Sequence, residues 1–147
     1  VGALVDGYHS DMTRTFVIGR PTPLQHELYE LVLAAQQAGV AAVAAGLSTK
    51  QLDAVGRDII TEGGYGDWFT HGTGHGVGLL IHEDPFVNRA GDAILQVGDV
   101  VTVEPGVYRE GFGGIRVEDL VVVTSEGCRV LTASPKESPC PPFPPTI

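Results

Sequence analysis

The apolar positions of this chain follow two periods, and the change from one to the other falls at glycines and prolines. Leu24, Leu28, Leu31, Ala35, Ala38 and Ala42 recur at three and four, a spacing that puts them on one helical stripe. Thr22 precedes the stripe as an N-cap, and Pro23 fits the first helical position, where a missing N–H costs nothing. Gly46 predicts the stop. Ser48-Thr49-Lys50-Gln51 reads as a capping box for a second helix. Leu52, Val55, Ile59 and Ile60 form its predicted buried face, and Gly63-Gly64 end it. Neither helix carries a residue to which chemistry is assigned, and His26 reads as a surface side chain.

The other apolar runs are short and β-branched. Val1–Val5 and Tyr8–Ile18 predict strands joined across Asp6-Gly7, a pair that suits a tight reversal. Val77–His82 predicts another strand, ended by Glu83-Asp84-Pro85. Val100–Tyr108 and Ile115–Val123 predict two strands on either side of the reversal Gly111-Phe112-Gly113-Gly114. Ser125-Glu126-Gly127 is a turn and Arg129–Leu131 a last strand. From Pro135 onward six of thirteen residues are proline, which predicts an extended or disordered tail.

At 147 residues the expectation is one domain, and an apolar fraction of 43% is enough for a core. The net charge of −9 argues against nucleic acid, which is met by a basic footprint. No apolar run is long enough to span a bilayer. Two cysteines, Cys128 and Cys140, make no disulfide framework, so a cytoplasmic, reduced protein is expected. The chain opens at Val1, in what reads as the middle of a strand, and is expected to be a piece of a longer polypeptide.

Chemistry concentrates in the stretch His71 to Glu83. His71, His75 and His82 fall there among glycines at 72, 74, 76 and 78. Glycines let backbone approach closely, so several imidazoles can converge on one point. Any one of these histidines alone would be a surface residue. Asp11 sits in a predicted strand, where aspartate is disfavoured, and alone it reads as solvent-facing. Glu104 and Glu118 each interrupt a β-branched run and are placed symmetrically about Gly111. In an antiparallel hairpin they would be opposite neighbours about 5 Å apart. Two carboxylates so placed repel, and burial penalises each by several kcal/mol. One could take a proton, a cation could sit between them, or a bulge at Pro105 could turn one to water. A cation accounts for more of the chain. Asp11, His75, Glu104 and Glu118 would offer it three carboxylates and one imidazole, a donor set suited to Mn²⁺ or Co²⁺ and to two metals with shared carboxylates.

Several ordered motifs resemble one known family. They are Gly7-Tyr8-His9-Ser10-Asp11-Met12-Thr13-Arg14-Thr15, His71-Gly72-Thr73-Gly74-His75-Gly76-Val77-Gly78, Ile81-His82-Glu83, Val103-Glu104-Pro105-Gly106 and Gly114-Ile115-Arg116-Val117-Glu118-Asp119. Together they are similar to the metallopeptidases of the pita-bread fold: methionine aminopeptidase, Xaa-Pro aminopeptidase and prolidase. The resemblance runs from about Val1 to Thr132. It implies an α+β fold, a curved antiparallel sheet with helices on its outer face, incomplete at the N-terminus. Residues 1–134 would be the C-terminal part of the catalytic domain and 135–147 the Pro-rich tail. It implies two divalent ions, Mn²⁺ foremost, with Co²⁺ or Zn²⁺ as alternatives. Asp11 and Glu118 would bridge them, while His75 and Glu104 complete one shell. Glu104 would also handle the proton of the attacking hydroxide. His82 would stabilise the tetrahedral intermediate or steady the substrate, and His71 would line the pocket. His71 and Arg116 point to the Xaa-Pro branch, whose substrate is a peptide with proline at the second position. Arg116 also has a physical reading: alternation puts it on the face of Glu118, where it offsets carboxylate charge.

The resemblance also departs. One aspartate ligand of the family pattern falls immediately before Val1, and the first half of the domain is upstream of the chain. The missing half or another chain is then an expected partner, a homodimer is possible, and apolar surface is expected to stand exposed. Three alternatives remain beside the exopeptidase: a metal-free or degenerate domain that binds peptide or protein, a metal-free hydrolase, and a methionine aminopeptidase.

Overall fold

A computed structural model describes residues 1–139. Both helices start where their caps predict. The first, α1 (Pro23–Ala42), has Thr22 accepting from the Gln25 N–H while the Gln25 side chain reaches back to Thr22. The second, α2 (Thr49–Glu62), repeats this box with Ser48 and Gln51. α1 ends at Ala42, short of Gly46, which takes a positive φ of 88° in the turn that follows. Its buried stripe is rotated from the predicted one. Leu28, Val32, Ala35 and Gly39 are buried with Tyr29 and Gln36, whereas Leu24 is exposed and Leu31, Ala38 and Ala42 are half-buried. Gly39 explains the rotation. A Cβ there would lie 2.8 Å from Val103 Cγ1, so the helix comes nearest the sheet over its glycine. α2 buries Leu52 and Ile60 as predicted, but Asp53, Gly56 and Arg57 take the places expected of Val55 and Ile59.

All strand pairings are antiparallel. β1 (Ala3–Val5) and β2 (Tyr8–Ser10) form a hairpin. A five-stranded sheet has the order β4-β3-β5-β8-β9, made of β4 (Glu83–Val87), β3 (Gly74–Gly76), β5 (Val100–Val103), β8 (Asp119–Thr124) and β9 (Gly127–Val130). β6 (Gly106–Arg109) and β7 (Gly113–Arg116) make a separate ribbon. Three expectations are corrected. Val77–His82 is a run of bends, and the paired residues are the glycines and histidine just before it. Pairing resumes at Glu83–Val87 through Pro85, because β4 is an edge strand and proline's missing N–H costs nothing on its open side. Of Tyr8–Ile18 only Tyr8–Ser10 joins a ladder.

The long predicted strands 100–108 and 115–123 are each divided in two, and the division makes the site. Val103 pairs with Asp119 and Gly106 with Arg116, so one register runs through and Glu104 stands opposite Glu118. The direct ladder stops there. The Glu104 N–H donates to the Thr73 carbonyl at 2.7 Å and the Glu118 N–H to the Thr13 carbonyl at 3.1 Å. Pro105 has no N–H to offer. The hairpin thus exchanges its own bonds for bonds to the segments that carry His75 and Asp11.

Alternation assigns the two faces. Val101, Val103, Val107, Ile115, Val117, Val121 and Val123 pack into the helix-side core with Leu28, Val32, Leu52 and Ile60. The even-numbered Thr102, Glu104, Tyr108, Arg116 and Glu118 therefore face the other way. On the helix side Asp119 is buried among Arg14, Gln36 and Lys136. The segment read as a tail is anchored up to Pro139: Lys136 accepts from the Tyr29 hydroxyl at 2.9 Å, and Pro139 from the Val17 N–H at 2.8 Å. The remainder of that predicted tail, 140–147, lies outside the described residues. Leu4, Val5, Tyr8, Leu79 and Leu80 stand exposed, the apolar surface expected. Among the described residues no helix is long and apolar enough to cross a membrane.

Candidate functional site

A cavity of about 500 Å³ opens on the even-numbered face, and Asp11, His71, His75, His82, Glu104, Arg116 and Glu118 all line it. They arrive from several local structures. His75 is the middle residue of β3, buried between two glycines. The space is narrow: a Cβ at Gly74 would lie 2.0 Å from the Thr102 carbonyl oxygen and one at Gly76 2.3 Å from that of Asp84. Only glycine lets β3 lie between β5 and β4 this closely. Glu104 and Glu118 come from the gap in the hairpin, and Asp11 from the unpaired residues after β2. His82 sits on the exposed bend before β4.

Two groups of donors converge. His75, Glu104 and Glu118 bring ligand atoms within 4.8 Å of one another, and so do Asp11, His75 and His82. His75 is common to both. Its Nδ1 donates to the Gly76 carbonyl at 3.0 Å, which leaves Nε2 facing Glu104 Oε1 at 3.1 Å and Asp11 Oδ2 at 3.9 Å. The expected pairing of Arg116 with Glu118 is indirect. Arg116 Nε lies 3.7 Å from Glu104 Oε2 and donates to the Thr13 hydroxyl at 3.1 Å. That hydroxyl donates to Glu118 Oε2 at 2.6 Å.

The two glutamates differ in their hold on a proton. Burial and then the charge of Glu104 push Glu118 up to about 7, and the Thr13 hydrogen bond offsets only part of this. Burial would also raise Glu104, but hydrogen bonds from His75 and Thr102 outweigh it and hold the carboxyl below its ordinary range. Burial would lower His75, yet the Glu104 contact raises it above its usual value. Like charges on facing strands are kept apart in pKa, the behaviour of a carboxylate pair. The bulge alternative is excluded, since both side chains face the cavity.

Some residues of the site were not read from the sequence. Tyr108 links two that were: its hydroxyl lies 3.0 Å from His71 Nε2 and accepts from Arg116 Nη1 at 2.8 Å. Its place two residues beyond Gly106, in phase with Glu104, was the available signal. Thr102 bridges His75 N–H and Glu104 Oε1, at 3.0 and 3.1 Å, and shares that phase. Asp53 and Arg57 bind the backbone of the histidine segment. Charges at i and i+4 on a helix read as a solvated pair, and only the histidine segment packed over them buries them.

The donors fit divalent metal. Among the described residues Glu118 Oε1 is buried without a hydrogen-bond partner, and an orphaned carboxylate oxygen costs several kcal/mol unless a cation meets it. His75 Nε2 and the carboxylates of Asp11, Glu104 and Glu118 supply the hard and borderline donors that Mn²⁺, Co²⁺ or Zn²⁺ accept.

Comparison with known proteins agrees in extent with the motifs. The sequence profile described as metallopeptidase family M24 matches residues 1–125. The Xaa-Pro dipeptidase of Pyrococcus furiosus is 47% identical over 137 residues, covering 93% of this chain and 39% of that protein. The crystal structure of the prolidase from Pyrococcus horikoshii OT3 superposes with a TM-score of 0.91 at 46% identity, over 92% of this chain and 39% of its own. The X-Pro aminopeptidase from Thermotoga maritima MSB8 gives 0.89 at 43% identity, over 92% and 39%. The fold is that of these pita-bread proteins, α+β, and the chain spans about two-fifths of the length of the relatives it matches.

Proposed function

The chain belongs to metallopeptidase family M24, and from that premise we propose that it carries most of the active site of a metal-dependent Xaa-Pro exopeptidase. The observation that supports this above the others is the buried, partnerless oxygen of Glu118 beside Glu104 and His75. Asp11, His75, Glu104 and Glu118 would hold two divalent ions, with Mn²⁺ our first choice, and His82 stands within reach of the same atoms. When bound, such ions supply Lewis acidity toward a peptide carbonyl.

The residues of the chain divide the remaining work. Glu104 is the glutamate whose carboxyl is held below its ordinary range, so it takes the proton of the attacking water and returns it to the proline nitrogen as the carbon–nitrogen bond breaks. His82, on the open rim next to His75 with ring centroids 4.2 Å apart, donates to the carbonyl oxygen as negative charge builds there. Arg116 orients Glu104 and Thr13, and with Tyr108 it fixes His71 at the wall where the substrate's side chains lie. Glu104→Gln tests the assignment. The variant should bind metal and lose at least 10²-fold in kcat on an Xaa-Pro dipeptide, the scale of a general base. Full activity in that variant would end the proposal. Elemental analysis separates it from a metal-free binding domain: about two ions against none.

A further inference from the structure

Helix α2 buries two charged side chains that are not part of the donor set. Asp53 and Arg57 pair through Nε to Oδ2 at 2.7 Å and Nη2 to Oδ1 at 2.8 Å, with side chains 1% and 9% exposed. An ion pair this deep rarely stabilises a fold by its own attraction. Its remaining hydrogen bonds show what it holds. Arg57 donates to the carbonyls of Phe69 at 3.0 Å and His71 at 2.7 Å, and its guanidinium lies 4.0 Å over the Phe69 ring. Asp53 Oδ1 accepts from the Thr73 N–H and hydroxyl, both at 2.9 Å. Residues 69, 71 and 73 are thus tied in a stretch that, among the described residues, has no strand partner before Gly74. Thr73 passes the constraint on, because its carbonyl accepts the Glu104 N–H.

We propose that Asp53 and Arg57 are positioning residues for the metal centre, fixing the backbone of His71 and Thr73 and through it the spacing of His75 against Glu104. This rests on the metal-centre reading above. Glycines at 72 and 74 give the segment its close approach, but glycine loses the most conformational freedom on ordering. Charge-assisted hydrogen bonds from a planar fork supply that order at fixed geometry. A lysine at position 57 keeps the charge but cannot reach two carbonyls and both carboxylate oxygens at once, so charge and geometry are separable.

The test uses Arg57→Lys in the full-length protein, with Thr73→Val, which removes the hydroxyl contacts to the Asp53 carboxylate and carbonyl, as a milder companion should Arg57→Lys not fold. Three readouts are taken: Co²⁺ affinity with its visible absorption, the imidazole NMR signals of the metal-free protein, and kcat and KM on an Xaa-Pro dipeptide. The expected result is a folded variant with altered Co²⁺ bands, Co²⁺ binding weakened about 10- to 100-fold, displaced His71 and His75 signals, and a fall in kcat larger than the change in KM. A folded variant with wild-type bands, affinity and histidine signals overturns the proposal. If the wild type takes up no Co²⁺, the metal-centre reading fails, while the histidine signals still decide whether the pair sets their position.

Discussion

Replacing Glu118 with glutamine should stabilise the metal-free protein at alkaline pH and remove its response to divalent ions. The carboxyl is raised from 4.5 to about 7, by burial first and then by the neighbouring Glu104. A folded state that keeps its proton to a higher pH than the unfolded state loses stability as pH rises between those two values. With about 1.4 kcal/mol per pH unit, the ionised Glu118 costs the metal-free fold on the order of 3 kcal/mol above pH 7. Glutamine carries no such penalty. Its carbonyl oxygen can still accept from Thr13, and its amide can donate to Glu104, so the cavity keeps its shape. Urea denaturation of chelator-treated protein at pH 5 and pH 8 measures the difference. The wild type should be weaker at pH 8 than at pH 5, and the variant should gain about 2–3 kcal/mol over it at pH 8 and little at pH 5. Added Mn²⁺ should raise the wild-type midpoint and leave the variant unmoved. A variant no more stable than wild type at pH 8, or equally favoured at both, would refute the electrostatic account.

Three further outcomes are expected. Burial alone would raise the Asp119 carboxyl, but hydrogen bonds from Lys136 and Arg14 hold it below its ordinary value; its contribution is full above the unfolded carboxylate range and lost as pH falls through the depressed value. Asp119→Ala should therefore cost about 3 kcal/mol in urea titrations at pH 7, and progressively less as pH falls below the ordinary carboxylate range. Tyr108→Phe removes hydrogen bonds to His71 and Arg116 and should lower kcat/KM roughly tenfold, at about 1.5 kcal/mol for a bond to a charged group. Gly39→Ala forces a methyl against Val103, and overpacking of about 1–3 kcal/mol should exceed the gain in helix propensity of about 1 kcal/mol, read as a lower Tm.

Much of the site was legible because its residues violate local expectation. Glu104 and Glu118 stood out as charges within β-branched runs, and their symmetry about Gly111 gave the register that the pairings Val103–Asp119 and Gly106–Arg116 bear out. The helix starts were legible because capping boxes are local chemistry. What failed depends on neighbours far along the chain. β3 has no alternation to detect, since Gly74 and Gly76 carry no side chains, and its strand character comes wholly from β4 and β5. Pro85 reads as a terminator until β4 is known to be an edge. The rotation of α1 is set by the approach of Val103 to Gly39, which no count of helical periods can show. Asp53 and Arg57 were passed over because charges on a helix are usually solvated, and what buries them is the histidine segment folded over them.

The contact between Thr13 and Glu118 joins positions 105 apart, and Arg14 meets Asp119 over the same span. A helix can form while the chain is still open; this gathering of acids cannot, because its members meet only when that long loop shuts, late in any folding order that favours local contacts. Ion uptake during refolding would then report the finished topology rather than secondary structure, and should lag the helical signal by the time that closure takes.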